Sequence, residues 1–315
     1  MITAIRSAIS SPASIGLLKF LKESGFRVIG TDIINKSVGN FFVDAFYEVP
    51  RASDEQAVIK CYKKIVVQEN ARWIISGPEE EIKILKKHEK ILGVSVMHPP
   101  IETLEIVTDK LLAFQYFSKN GFLTPQSYKL NIRKLPPLQG KMILKPRRGR
   151  GSTGIFVIDG RQQLEHSLYA NSISRGYMVQ EFIEGEEWTV DTLHDMEGNL
   201  LNVVPRHRLK IDSGISIVSR TVRDEYLFEL IVKISSLLHF AGGGCFQFIK
   251  DKSGKYYLTD INPRFGGGAI LSLNASISFQ YNLIQLLKGE SLRSQNPSFD
   301  FFELHMYRYY KEFYE

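Results

Sequence analysis

The stretch Phe246-Gln247-Phe248-Ile249, Lys252-Ser253-Gly254-Lys255 and Tyr256-Tyr257-Leu258-Thr259-Asp260-Ile261-Asn262-Pro263-Arg264-Phe265-Gly266-Gly267-Gly268 reads as two strands joined by a turn. Ser253-Gly254 supplies tight-turn chemistry, and apolar and β-branched residues fill both flanks. A two-residue loop would set Gln247 directly opposite Asp260, whereas a four-residue loop would set them on a diagonal. Either register leaves both on one face. Asn262 lies two residues beyond Asp260, so the pleat adds it to that side and turns Phe246, Phe248, Tyr257 and Ile261 to the other. Three oxygen ligands thus converge. Magnesium favours hard oxygen donors, usually takes one or two carboxylates, and leaves its other positions to water and substrate phosphate. One aspartate with two amides fits that. Arg264, after the rigid Pro263, is placed to meet phosphate oxygens, and Gly266-Gly267-Gly268 lets a backbone approach closely. The same letters would also suit an ordinary hairpin followed by a glycine turn.

A chain of 315 residues can bury a large core and is long enough for two or three domains. Its 43% hydrophobic and 23% charged content is that of an ordinary soluble protein. No apolar run of about eighteen residues could span a membrane, and no basic segment followed by an apolar block opens the sequence. A cytoplasmic protein without a membrane partner is expected. Cys61 and Cys245 lie far apart, as expected of two buried thiols rather than a disulfide or a cysteine metal site. The seven histidines show no metal-ligand spacing; His207, between Arg206 and Arg208, is the one to watch. The net charge of +6 is spread along the chain without a nucleic-acid module, so attraction for an anionic nucleotide and an acidic substrate accounts for it instead.

Residues 1 to about 105 alternate short apolar runs (Thr3-Ala4-Ile5, Val28 to Asp32, Trp73 to Ser76) with helical patterns (Ile15 to Leu21, Val58 to Val66). That rhythm predicts a parallel sheet with helices on its faces. The first turn, Ser10 to Gly16, lacks Gly-x-Gly-x-x-Gly, which argues for a scaffold or substrate-contributing domain over a dinucleotide site. Thr108 or Asp109 can cap a helix that runs to Gly121 and carries Lys110 in its first turn.

Met142 to Pro146 is a strand that reaches Lys145. It is followed by Arg147-Arg148-Gly149-Arg150-Gly151-Ser152-Thr153-Gly154 and a new strand from Ile155. A glycine-rich hairpin of this kind either folds its amides over phosphates, with Lys145 as a point charge, or is simply solvated. It is not a Walker loop, because the Gly-Lys-Ser/Thr ending and the following helix are missing. Tyr177 to Ile183 is a further strand running through Glu184-Gly185 into Glu186-Glu187-Trp188. An extended linker there can offer backbone groups to an adenine edge, and Glu187 can accept from ribose hydroxyls. In Pro205 to Gly214, Arg206 and Arg208 alternate onto one side and could clamp a substrate carboxylate, or lie on a basic solvated edge. The tail from Phe299 to Glu315, dense in aromatics, could complete the last sheet or build a homodimer contact.

Taken in order, Thr108-Asp109-Lys110, Leu144-Lys145 with its glycine loop, Glu181 to Trp188, Gln247, and Asp260 to Arg264 strongly resemble the ATP-grasp superfamily. The likeness is in particular to short, single-chain members similar to half of the carbamoyl phosphate synthetase large subunit. It covers nearly the whole chain and implies an α/β (α+β) ATP-grasp fold. A doubly wound pre-ATP-grasp domain would occupy residues 1–107, a central lid subdomain 108–183, and a C-terminal subdomain 184–315. The resemblance further implies that Lys110 and Lys145 contact ATP phosphates while Gly149, Gly151, Ser152 and Gly154 close over them. Glu181, Phe182 and Ile183 would hold adenine, and Glu187 the ribose. Gln247, Asp260 and Asn262 would hold one or two magnesium ions, or manganese in their place, and Arg264 and Lys145 would be the catalytic cations. Family members commonly carry glutamate where this chain has Asp260. The implied activity is ADP-forming activation of a small-molecule carboxylate for capture by an amine or thiol. A carbamoyl- or carboxy-phosphate-forming enzyme and a non-catalytic nucleotide sensor are the alternatives.

Overall fold

The computed structural model of the chain describes residues 1–131, 140–149, 153–170, 173, 176–212, 214–290, 292 and 296–315. Three sheets organise the described residues. The first contains β1 (Thr3–Ser7), β2 (Arg27–Asp32), β3 (Ala45–Glu48), β4 (Ala71–Ile75) and β5 (Ser95–Val96) in the order β3-β2-β1-β4-β5. Every pairing is parallel. Such strands need cover on both faces, which explains why β1 is buried throughout. Helix α1 (Pro12–Glu23) buries Ser14, Leu17, Leu18 and Leu21, a spacing of three and four that makes one stripe. That stripe packs with Val28 and Trp73, while Val58, Tyr62 and Ile65 of α2 (Glu55–Glu69) pack with Ile5, Ile29 and Ile74 from the other side. Ser11 caps α1 by accepting from the Ala13 amide at 3.3 Å, and Pro12 suits the first helical turn. Between β1 and β4 the strand order reverses, so the loops leaving their carboxyl ends diverge and open a crevice.

Helices α3 (Glu79–Lys87), α4 (Glu89–Leu92), α5 (Ile101–Val107) and α6 (Lys110–Lys119) follow. Asp109 caps α6, accepting from the Leu112 amide at 3.4 Å, and the chain turns at Gly121 with φ +85°. The second sheet is antiparallel: β6 (Ser127–Lys129), β7 (Lys141–Pro146), β8 (Phe156–Asp159) and β9 (Tyr177–Glu181), in the order β6-β9-β7-β8, with α7 (Gly160–Ala170) against it. Its core of Leu130, Met142, Leu144, Ile158, Leu164 and Val179 is separate from the others.

The third sheet, also antiparallel, comprises β10 (Gly185–His194), β11 (Leu200–Asp212), β12 (Ile215–Thr221), β13 (Gly242–Asp251), β14 (Tyr256–Asn262) and β15 (His305–Tyr307). On one face α8 (Glu225–Ser235) covers Val190, Val203, Phe246 and Phe248; burying each phenylalanine contributes about 1.5–3 kcal/mol. On the other, α9 (Ala269–Ala275) and α10 (Ile277–Lys288) pack with Leu193, Leu201 and Val204. This core is continuous with the α1 side of the first sheet, so the two sheets are held together. The aromatic tail completes the sheet, since β15 pairs with β12.

The β13–β14 turn is wider than two residues. Lys250 pairs with Tyr256, and the Asp251 amide donates to the Lys255 carbonyl at 2.9 Å. Continued unbroken, that register would bring Thr259 opposite Gln247, but an extra residue bulges at Thr259 and Asp260 takes the place instead. A one-residue shift exchanges faces. Tyr256 and Leu258 therefore join Phe246, Phe248 and Ile261 in the core, and Tyr257, expected there, is half-buried on the opposite side.

Candidate active site

A cavity of about 750 Å³ lies where the three sheets meet. Gln247, Thr259, Asp260 and Asn262 of β13 and β14 face it; the bulge is what lets both Thr259 and Asp260 do so. Ile143 and Lys145 of β7, with Gly149, Glu181 and Ile183, line the opposite wall. Loops after β1 and β4 provide the third.

At its centre, Lys110 Nζ lies 3.0 Å from Asp260 Oδ1 and donates to the Gly149 carbonyl at 3.2 Å. Asn262 Nδ2 donates to Asp260 Oδ2, and Arg264 donates to Asn262 Oδ1, each at 3.2 Å. Burial opposes ionisation of Asp260, but the nearby charges of Lys110 and Lys145 outweigh it and hold the carboxyl below its ordinary value. Burial pushes Lys145 down to about 8, with Asp260 working against that shift and Lys110 adding to it. Its ammonium lies over the Phe114 ring at 5.1 Å. Among the described residues no group of three His, Cys, Asp or Glu could hold a metal by itself. Asp260 with the oxygens of Gln247 and Asn262 forms a sparse donor set, which suits magnesium completed by water and phosphate.

The expected nucleotide residues meet this cavity unevenly. Lys110, Lys145, Gly149, Glu181, Ile183 and Glu187 line it. The Glu181 carboxylate accepts from the Gln126 amide at 3.2 Å, and the Phe182 amide donates to the Lys141 carbonyl at 3.4 Å. Gly154, at φ +73°, packs beside Tyr177 and Pro146. Gly151 and Ser152 lie outside the described residues.

The arginine clamp needs correction. Arg206 is 2% exposed, donates from Nε and Nη2 to the two oxygens of Asp191 at 2.6 and 3.1 Å, and is absent from the cavity lining. Ser272 donates to the same carboxylate at 2.6 Å. A Cβ at Gly268 would collide with the Arg206 guanidinium, so this glycine is needed to seat it. Arg206 is thus an internal bracket, because its carboxylate partner sits on the adjacent strand β10. Arg208 does line the cavity, but its nitrogens reach Glu187 at 2.7 Å, Ser216 at 3.1 Å and the Gly214 carbonyl at 2.9 Å. The Arg206 and Arg208 pair therefore does not present two free forks, and Glu187 meets Arg208 before any ribose. His207 stacks on Trp188 at 4.7 Å.

Other contributors carried no sequence motif, apart from the stretch Ser76-Gly77-Pro78-Glu79, where the acid pocket is expected should Arg206 and Arg208 not supply it. Arg6, Gly77 and Pro78 line the N-terminal wall. Arg147 makes two bonds to Asp109, at 3.0 and 2.8 Å, tying the glycine hairpin to the start of α6. Buried His98 accepts from the Ser76 amide at Nε2, 2.9 Å, and donates from Nδ1 to the Pro263 carbonyl at 3.0 Å, linking the β4 loop to the β14 end. Amide and carbonyl leave the ring only that tautomer. A period-based reading registers such residues only as polar letters near strand ends.

The ATP-grasp domain model matches residues 107–268, just over half of the chain. The carbamoyl phosphate synthase large chain of Thermoplasma acidophilum is 24% identical over 283 residues, 81% of this chain and 26% of its own length. D-alanine–D-alanine ligase of Thermotoga maritima is 27% identical over 209 residues, 60% of this chain and 67% of its own. The chain spans between a quarter and a third of the synthase large chains it matches. Among solved structures, biotin carboxylase from Campylobacter jejuni superposes with a TM-score of 0.74 at 19% identity, covering 94% of this chain and 73% of that one. L-amino acid ligase from Bacillus licheniformis does so with 0.72 at 18%, covering 91% and 74%. The chain belongs to the ATP-grasp family. The structural likenesses establish the α/β fold, including the parallel N-terminal sheet that the residue rhythm predicts. Among the described residues no helix is long and apolar enough to cross a membrane.

Proposed function

We propose that the protein is an ATP- and magnesium-dependent ligase that activates a small carboxylate as an acyl phosphate for capture by an amine or thiol. The observation that carries this reading is the single face shared by Gln247, Asp260 and Asn262, ringed by Lys110, Lys145 and Arg264. In this reading Lys110 and Lys145 bind the ATP phosphates, and Gly149 of the hairpin approaches them. Ile183 and the neighbouring backbone hold adenine, with Glu187 toward the ribose. Gln247, Asp260 and Asn262 would hold magnesium, which supplies charge neutralisation at the phosphates when bound. Arg264 faces the transferring phosphoryl group, where fixed cations count most because they need no reorganisation. A substrate carboxylate oxygen attacks the γ-phosphorus and ADP leaves; the nucleophile then attacks the acyl carbon and phosphate leaves.

The names of the matched synthase chains, and of the biotin carboxylases among the structural neighbours, favour a second reading of the same site, with bicarbonate or carbamate as the acid. ADP release with magnesium, ATP and pooled amino acids and small acids, followed by mass analysis of products, separates the two. Stimulation by an organic acid with a new amide or thioester supports the first. Stimulation by bicarbonate alone supports the second, and ATP turnover by neither sinks both.

A further inference from the structure

The cavity's cations are unevenly matched. Of the cations that line it, Lys110 and Arg208 each have a carboxylate partner, and Lys145 lies over the Phe114 ring without an ion pair among the described residues. Arg6 and Arg264 line the same cavity, and among the described residues neither forms such a pair. Arg6 is 4% exposed; Nη1 donates to the Ile75 carbonyl at 3.0 Å, Nη2 to Ser14 Oγ at 3.1 Å, and Nε is buried without a partner. Arg264 Nε is likewise buried and unpartnered. Burial, then the charge of Arg264, push the Arg6 guanidinium down to about 10, while the Glu81 carboxylate works against that shift, so Arg6 feels charges of both signs.

Arg6 also sits at the carboxyl end of β1, beside the reversal of strand order where open α/β sheets receive ligands. The N-terminus of α1, whose dipole adds positive potential, borders the same place through Ser11 and Ala13. A Cβ built on Gly267 would lie 3.1 Å from that of Ala13, which brings the glycine turn after Arg264 against α1.

We propose that this wall is the acid-binding subsite: Arg6, with Arg264 opposite, takes the carboxylate of the substrate, the role that Arg206 and Arg208 are too engaged to fill. This rests on the ligase reading and names where its acid is recognised.

Acetate, succinate, bicarbonate and inorganic phosphate are titrated at constant ionic strength into the full chain, with and without saturating magnesium-ADP, and binding is read by calorimetry and thermal shift. The variants are Arg6→Gln and Ser11→Asp; aspartate is as good a cap as serine, so the second keeps α1 while adding a repelling charge. Acetate or succinate is expected to bind the wild type, and both variants to weaken it at least about tenfold with magnesium-ADP affinity unchanged. No carboxylate binding to the wild type, equal binding by wild type and Ser11→Asp, or binding of phosphate or bicarbonate alone overturns the inference. Absence of magnesium-ADP binding sinks the ligase reading instead, and the nucleotide-free titration still decides the subsite.

Discussion

Nζ of Lys110, in the first turn of α6, lies 3.0 Å from Oδ1 of Asp260, on a strand 150 positions later in the chain. The pair joins the two segments that the proposed chemistry needs together, a phosphate-binding cation and a metal-binding carboxylate. Since Lys145 adds a second positive charge to the surroundings of Asp260, the carboxylate stays ionised and ready for an incoming cation.

Asp260→Asn keeps the shape and removes the charge. ATP turnover is expected to fall about a hundredfold or more, with an unchanged circular dichroism spectrum. Steady-state ADP release on the folded variant checks this, and near-wild-type rates would remove Asp260 from the site.

Lys145 provides a pH signature. With its pKa lowered to about 8, ATP affinity is expected to be highest below pH 8 and to fall as pH rises through that value and the lysine discharges. Lys145→Met should bind ATP more weakly and lose this slope. The same group binds fewer protons folded than unfolded between pH 8 and its ordinary value, so it makes the protein more stable as pH rises across that window. Nucleotide titrations at several pH values test the first point, and thermal melts the second.

Arg206→Ala should behave as a folding mutation. It leaves Asp191 buried with only the Ser272 hydroxyl, and losing one partner of a buried ion pair costs about 3–5 kcal/mol. Urea unfolding gives the number, and an intact stability with altered acid dependence would return Arg206 to substrate binding.

Two buried histidines set the acid limit. Burial lowers both His98 and His194 to about 3, and each is neutral in the fold, His194 bonding the Ser235 hydroxyl at 3.0 Å. An unfolded histidine takes its proton near pH 6.5, so their stabilisation is present above that pH and is lost as pH falls toward 3. Each contributes a slope of at most about 1.4 kcal/mol per pH unit. The His98→Gln variant should show a shallower decline in melting temperature from pH 6.5 to 4.

Period and turn chemistry made much of this legible. The alternation of Gln247, Asp260 and Asn262 against Phe246, Phe248 and Ile261 set the three polar residues on one face, and Thr108 or Asp109 marked the start of α6, where Asp109 proves to be the cap. The same reasoning misplaced Tyr257, because nothing in Tyr-Leu-Thr-Asp announces a bulge at Thr259; the pairing of Lys250 with Tyr256 creates it. Arg206 failed for a related reason. Its alternation with Arg208 was right locally, but its environment is set by Asp191 on the neighbouring strand and by the room left at Gly268. Arg6 stands in an apolar strand and His98 in the loop after β5, and only the meeting of β1, β4 and β14 shows what they face.

The central claim is a magnesium-nucleotide site on Gln247, Asp260 and Asn262, and calorimetric titration of a non-hydrolysable ATP analogue tests it most directly. The account predicts one nucleotide per chain, affinity at least about tenfold weaker when magnesium is replaced by chelator, and no such metal dependence in Asp260→Asn. Equal affinity with and without magnesium in the wild type, or no nucleotide binding at all, would contradict it.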